Sequence, residues 1–296
     1  MRKRAREIEF DVDAYTARLI GRENVSKLEG ALFEIVKNAY DADASVCCLY
    51  YSNTEDRIYI VDNGCGMKEE ILRTHWMTIG NSSKKNSYIS QNGRVQTGAK
   101  GIGRFALDRI SDQCNMLTIS EEGGLEWVVD WRDFDGSKRI SEVKARVYDT
   151  EESLLEHVGI ESWRNRAVAF EIAKCNFGET GTAFRLDSLH DIWDESTMNR
   201  LRNHLENLLP PDVTENFCIW FFNDSTKIED ALITSANVET YDYRIEFQVT
   251  ANLVNIQIMR NEFDFRREER EVYTEAGFDE KEQAYFHGKS LLRWRK

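Results

Sequence analysis

The sequence lacks several features that define common protein classes. No apolar run approaches the roughly 20 residues needed to span a bilayer, so we expect no transmembrane helix. Acidic residues follow the basic start at residues 1–4, where a signal peptide would need an apolar core, which argues against secretion. The six cysteines form no CxxC pair and no His/Cys ligand spacing. Free thiols in a reducing compartment, with the cytoplasm as the default, are therefore expected.

An excess of basic charge is also missing. The chain carries 39 Lys and Arg residues against 52 Asp and Glu residues, which gives a formal net charge of −13. This balance argues against a chain-wide basic surface for nucleic acid, although it leaves room for a local basic patch. Hydrophobic residues make up 41% of the chain, which is enough to form a packed core.

Proline is nearly absent, and its position divides the chain. The only two prolines, Pro210 and Pro211, end an amphipathic helix predicted over residues 195–209. We place the domain boundary there, between a domain of residues 1–210, including an N-terminal arm, and a β-rich segment of residues 211–296. The second segment ends in charged sequence, so we expect this second domain to be incomplete.

A predicted helix over residues 26–41 carries the first candidate site residues. Its apolar residues recur at helical spacing and predict a core-facing stripe. Glu34, Asn38 and Asp41 lie on successive turns of a neighbouring stripe, so their side chains point the same way. An ordinary helix would place such residues in solvent. Aligned beside an apolar face, they suit a carboxylate base and a Mg2+ ligand.

A second candidate element is the glycine-rich turn of residues 62–67. It follows a predicted hairpin of strands over residues 45–51 and 57–61, which delivers Asp62 to the end of the second strand. Asp-Asn-Gly alone would indicate only a turn. Gly66 adds a position where a ligand can approach the backbone, and Met67 offers an apolar wall.

A third glycine-rich element spans residues 98–103 and opens a helix predicted over residues 104–110. Backbone N–H groups at such a helix start can hold phosphate oxygens. The spacing is neither that of a P-loop nor that of a dinucleotide fingerprint. The preceding polar segment, residues 84–97, has little to bury and is typical of a mobile lid.

The other predicted elements give an α+β pattern. Helices are expected over residues 13–21, 68–77 and 151–158, and strands over residues 116–120, 125–131, 141–148, 168–173, 182–186, 217–222, 242–249 and 253–260.

Four motifs in order resemble the GHKL ATPase superfamily, which includes gyrase B, large heat-shock chaperones, sensor histidine kinases and MutL. They are Glu34-xxx-Asn38-Ala39-x-Asp41-Ala42, Asp62-x-Gly64-x-Gly66-Met67, Gly98-x-Lys100-Gly101-x-Gly103 and Gly181-Thr182-x-Phe184-x-Leu186. The segment Ser82-Ser83-Lys84 brings the pattern nearest to the MORC and MutL-like proteins. The resemblance implies a two-layer α/β sandwich, the Bergerat fold, with a mixed sheet and helices on one face, followed by part of a β-rich transducer-like domain.

The resemblance also implies roles for individual residues. Glu34 would be the general base, Asn38 the Mg2+ ligand and Asp62 the acceptor for the adenine amino group, supported by the Thr182 hydroxyl. Lys100 would contact the γ-phosphate or remain a solvated lid lysine, and no other γ-phosphate lysine is recognisable. The complete set expected to bind ATP and Mg2+ is Asn38, Asp41, Ala42, Asp62, Gly64, Gly66, Met67, Ile79, Gly80, Ser82, Ser83, Lys84, Gly98, Lys100, Gly101, Ile102, Gly103, Arg104, Phe105 and Thr182.

The implied function is Mg2+-dependent binding and slow hydrolysis of ATP. It would drive lid closure and homodimerisation in a larger machine associated with DNA or protein, away from membranes. Two alternatives stay open: a nucleotide-dependent binding module with negligible hydrolysis, and a histidine kinase catalytic domain. Glu34 favours hydrolysis, because the kinases of this superfamily lack an acid at that position.

Overall fold

The computed structural model describes most of the chain and divides it into two compact units, Met1–Ala236 and Asn237–Lys296. This division lies C-terminal of the expected boundary at 210/211, because residues after the proline pair complete the sheet of the first unit. The described residues are 11–25, 27–78, 89–90, 92–94, 104–136, 139–208, 216–235, 243–249, 254–260, 269–274, 276–279 and 284–287.

An eight-stranded mixed sheet organises the first unit, in the order β5-β4-β3-β6-β2-β1-β7-β8. All neighbouring strands run antiparallel except β1 and β7, which are parallel. The α+β class and the mixed sheet are therefore confirmed. The strands are β1 (Val46–Ser52), β2 (Arg57–Asp62), β3 (Ser111–Ser120), β4 (Gly123–Asp130), β5 (Arg146–Thr150), β6 (Gly181–Leu189), β7 (Cys218–Asn223) and β8 (Leu232–Ile233).

The larger helices cover one face of this sheet. Leu32, Ile60, Phe184 and Leu201 belong to the core between them, because each helix directs one apolar stripe at the strands. A π-helical turn over Leu72–Trp76 continues α3. The helices are α1 (Ala14–Asn24), α2 (Leu28–Asp41), α3 (Glu69–Ile71), α4 (Phe105–Ile110), α5 (Leu154–His157), α6 (Arg166–Lys174), α7 (Glu195–Leu208) and α8 (Ile228–Ala231).

The second face carries a smaller helical layer in addition to the one expected. Leu154 of α5 and Ile172 of α6 belong to a second core with strand residues such as Tyr50, Val61 and Leu117. This layer comes mainly from the chain between β5 and β6. The sheet is thus enclosed on both faces where these helices lie.

The expected strand over residues 168–173 is wrong, because this segment forms α6. Val168, Phe170 and Ile172 alternate as in a strand, yet Phe170 is exposed and Ala169 is buried instead. Asn165 caps the helix by accepting a hydrogen bond from the Val168 N–H at 3.3 Å. The expected strand over residues 141–148 begins later, at Arg146, after a 3-10 turn over Ile140–Glu142.

The second unit is β-rich, as expected. Its three-stranded antiparallel sheet has the order β11-β10-β9 and is formed by β9 (Tyr243–Val249), β10 (Val254–Arg260) and β11 (Glu269–Thr274). A hairpin pairs β12 (Ala276–Asp279) with β13 (Ala284–His287). A transducer-like identity for this unit remains a prediction. Within the described residues, none of the helices has the length and apolar character to cross a membrane.

Candidate functional site

Asp62 is the last residue of β2 and lies opposite Thr182 of β6. Its side chain is buried, and Oδ1 accepts a hydrogen bond from the Gly64 N–H at 2.9 Å. Burial raises the pKa of this carboxyl group to about 7, while hydrogen bonds from the Gly64 and Thr182 backbones act in the opposite direction. The structure therefore places a protonatable hydrogen-bonding group at the end of two central strands.

The turn after Asp62 is packed too tightly for side chains at two glycines. Gly66 has φ +62°, and a Cβ there would lie 1.9 Å from the Ile119 carbonyl oxygen. Gly181, opposite the turn, has φ +149°, and a Cβ there would lie 2.2 Å from the Asp62 carbonyl oxygen. Both positions accordingly need glycine for conformation and for space.

Thr118 joins the turn to β6, although no sequence motif marks this residue. This fully buried residue of β3 accepts a hydrogen bond from the Met67 N–H at 2.8 Å. Its Oγ1 lies 3.4 Å from Thr182 Oγ1 and 3.5 Å from the Gly181 carbonyl oxygen. A threonine within an apolar strand carries no sequence signal that separates this role from ordinary strand packing. Thr118 and Thr182 therefore form a hydroxyl pair on β3 and β6, and β6 is the strand that neighbours Asp62.

Asn63 fixes the other side of the turn. Its Oδ1 accepts hydrogen bonds from the N–H groups of Ser45 and Val46, each at 2.9 Å. Its Nδ2 donates to the Asn176 carbonyl oxygen at 2.8 Å. The Asn63 side chain thus holds the turn against the start of β1 and the segment before β6.

Helix α2 brings the remaining described motif residues to this turn. The Cys65 N–H donates to the Ala42 carbonyl oxygen at 2.9 Å, and a Cβ on Gly64 would lie 2.8 Å from that oxygen. Asp41 is buried at the end of the helix, whereas Glu34 and Asn38 are half-buried along it. The C-terminal end of α2, the helix that carries the sequence-predicted stripe, therefore contacts the Asp62 turn.

Arg104 and Phe105 lie at the start of α4, and their side chains make contacts that stabilise the fold. Arg104 donates to the carbonyl oxygens of His75 at 3.0 Å and Thr78 at 2.8 Å, and burial lowers its pKa to about 10. Phe105 is buried, with its ring centroid 5.7 Å from that of Trp131. Their side chains thus join the start of α4 to the π-helical turn, to the residues after it and to the core.

Ten residues expected at the site lie outside the described residues. They are Ile79, Gly80, Ser82, Ser83, Lys84, Gly98, Lys100, Gly101, Ile102 and Gly103. Their assignment to the site, including the phosphate-binding loop, remains a prediction from sequence.

The donor groups of the described residues limit how the protein could hold a metal ion. Among the described residues, no three His, Cys, Asp or Glu side chains gather as a metal site. Mg2+ is usually held by one or two protein oxygens, while phosphates and water supply the other ligands. The half-buried Asn38 amide on α2 fits that pattern, whereas a dedicated protein cage is absent from the described part of the chain.

The comparisons with known proteins agree with this geometry. A family model described as "Histidine kinase-, DNA gyrase B-, and HSP90-like ATPase" matches residues 25–158. The chain is also 37% identical over 88 residues to the "Putative type II restriction enzyme HgiDII" of Herpetosiphon aurantiacus. That match covers 30% of this chain and only 14% of the relative. Residues 25–158 are therefore similar to the histidine kinase-, DNA gyrase B- and HSP90-like ATPase family, and this match supports a GHKL-type ATP-binding module in this part of the chain.

Proposed function

We propose that the protein hydrolyses ATP, with Glu34 as the general base. The observation that carries this proposal is the physical joining of the Asp62 turn to α2 through the Ala42 carbonyl oxygen. This contact supports a single site, because it joins the turn that carries the proposed adenine acceptor to the C-terminal end of the helix that carries Glu34 and Asn38. The family match supports ATP as the nucleotide.

Asp62 accepts a hydrogen bond from the adenine amino group. The Thr118 and Thr182 hydroxyls hold the surrounding backbone, and Met67 forms part of the pocket wall. Mg2+ bound by Asn38 with phosphate oxygens and water would neutralise charge on the triphosphate.

In the chemical step, the Glu34 carboxylate removes a proton from a water molecule. The water oxygen forms a bond to the γ-phosphorus. The bond from that phosphorus to the β,γ-bridging oxygen breaks, and its electron pair leaves with ADP. Inorganic phosphate and ADP are the products, and Glu34 then returns the proton to solvent. A positioned base of this kind contributes about 10²–10⁴-fold to the rate.

Phosphate release and ATP binding test the two assignments separately. We expect Glu34→Gln to lower phosphate release at least about 10²-fold and to keep ATP binding. Asp62→Ala should abolish ATP binding, because it removes the adenine acceptor. Equal phosphate release by wild type and Glu34→Gln would contradict hydrolysis by this base, and normal ATP binding by Asp62→Ala would contradict the pocket.

A nucleotide-dependent binding module is the second candidate function. It is favoured by the ion pair between Glu34 Oε1 and Lys37 Nζ at 2.9 Å, since this contact occupies one of the two carboxylate oxygens of the proposed base. ATP binding with no more phosphate release than from Glu34→Gln would select this function. Transfer of γ-phosphate label to a partner histidine would select the kinase instead.

We further propose that ATP drives dimerisation in a cytoplasmic machine of the MORC and MutL-like kind. The relative's printed name, a putative restriction enzyme, supports a DNA-associated setting over a chaperone setting. Light scattering should show a monomer without nucleotide and a dimer with a non-hydrolysable ATP analogue. An unchanged mass would contradict the dimer. Phosphate release that does not respond to added DNA would contradict the DNA-associated setting.

A further inference from the structure

Lys37 has no role in the proposed reaction, yet its side chain contacts the proposed general base, Glu34. Its Nζ lies 2.9 Å from Glu34 Oε1, one helical turn away on α2. The side chains of Lys37 and Glu34 are 18% and 32% exposed. The lysine of this pair is therefore largely sheltered from solvent, whereas the Glu34 side chain stays partly exposed.

The position of Lys37 on α2 makes this shelter informative. Lys37 follows the buried Ile35 by two residues, which places it about 200° around the helix from the core-facing stripe. A lysine on that side of a helix ordinarily extends into solvent. Here only 18% of the side chain is exposed, so Lys37 is covered on the side of α2 that faces away from the core.

A second pair in the chain has the same spacing without this shelter. Lys174 Nζ lies 2.7 Å from Glu171 Oε1 on α6, with side chains 52% and 36% exposed. Exposed pairs of this kind contribute little, because water and salt screen them. Lys174 thus provides a matched reference for the effect of an ordinary helical ion pair.

We propose that Lys37 is a positioning residue for Glu34 in ATP hydrolysis. This inference rests on the proposed function of Glu34. The ammonium group fixes the carboxylate on one side of α2 and leaves its other oxygen available to the water nucleophile. It also offsets the repulsion between the carboxylate and the triphosphate, which is strong where water is partly excluded. Lys37 acts on the reaction through Glu34 and does not contact ATP.

The test replaces Lys37 with methionine, which keeps the apolar stem and removes the charge. We expect Lys37→Met to lower kcat about 10- to 100-fold, since small displacements of a reacting group cost that much. The KM for ATP should change less than about threefold, because binding is left intact. Lys37→Arg should recover most of the rate, and Lys174→Met should behave as wild type.

A double variant links the effect to Glu34. Adding Lys37→Met to Glu34→Gln should cause no further loss, because the two residues act as one unit. Wild-type kcat in Lys37→Met, with a slow Glu34→Gln, would overturn the role of Lys37 alone. A rise in KM that accounts for the loss would overturn it too, since Lys37 would then bind ATP. Equal rates for Glu34→Gln and wild type would instead overturn the proposed function.

Discussion

At Asp62, burial sets the charge of a carboxyl group that the proposed function uses. The pKa of about 7 means that the folded protein holds a proton there at pH values where an unfolded chain, with its ordinary value of 3.8, has lost it. Protons are therefore released on unfolding between about pH 4 and pH 7. The free energy of unfolding contributed by this group falls as the pH rises through that range.

The first prediction concerns Asp62→Asn, which removes this titration. Relative to wild type, the variant should gain stability as the pH rises from 4 to 7, by at most about 1.4 kcal/mol per pH unit, with no further gain above pH 7. Urea unfolding at a series of pH values measures the difference. Parallel pH curves for the two proteins would show that Asp62 does not titrate in this range.

The second prediction concerns Gly66, whose surroundings leave no room for a side chain. Gly66→Ala should cost more than the about 1–2 kcal/mol of its left-handed conformation, because the Cβ would overlap the Ile119 carbonyl oxygen. Gly159→Ala is the matched control, since its φ of +59° is nearly the same and its Cβ would meet only Ser162 Oγ at 3.2 Å. Urea unfolding compares them, and equal losses would mean that conformation alone requires glycine at residue 66.

At the scale of elements, a buried ion pair holds α1 on α4. Arg18 Nε donates to Asp108 Oδ1 at 2.9 Å and Oδ2 at 3.1 Å, and Asp108 has no solvent-exposed side chain. Arg22 Nε lies 3.2 Å from Asp108 Oδ2. The arm before the first motif is therefore fixed to the helix that follows the glycine-rich loop.

The third prediction is that Arg18→Met destabilises the protein by about 3 kcal/mol, because it removes the main partner of the buried Asp108 carboxylate. Hydrogen exchange in α1 should rise at the same time. Arg132→Met is the control, since it removes the pair of an exposed arginine with Asp130 and should cost clearly less than Arg18→Met. Equal losses in the two variants would mean that the α1–α4 contact contributes no more than a surface pair.

At the scale of the whole molecule, β7 decides where the first unit ends. It pairs with β1 in parallel and with β8 in antiparallel fashion, and its Phe221 and Phe222 are buried on opposite faces. The sheet that holds the site is thus incomplete without residues beyond the proline pair.

The fourth prediction compares two truncated chains. Residues 1–236 should unfold in one cooperative urea transition and bind ATP, because this unit keeps its whole sheet. Residues 1–210 should lose cooperative unfolding, since deleting Phe221 and Phe222 removes about 3–5 kcal/mol of packing at each position. Cooperative unfolding of residues 1–210 at wild-type stability would place the boundary at the prolines after all.

The sequence by itself indicated the family resemblance and determined the α+β class, and it predicted the motif residues of α2 and the Asp62 turn. Helical periodicity, glycine turns and strand patterns depend on residues that are contiguous in the sequence, so these features can be recognised without the tertiary structure. Tertiary structure alone decided the role of Thr118, the helical identity of α6, the extent of the first unit and the shelter of Lys37. Each depends on what distant segments bring alongside, as when β6 places Thr182 beside Asp62. Burial and sheet pairing are properties of the folded chain, and no local pattern specifies them.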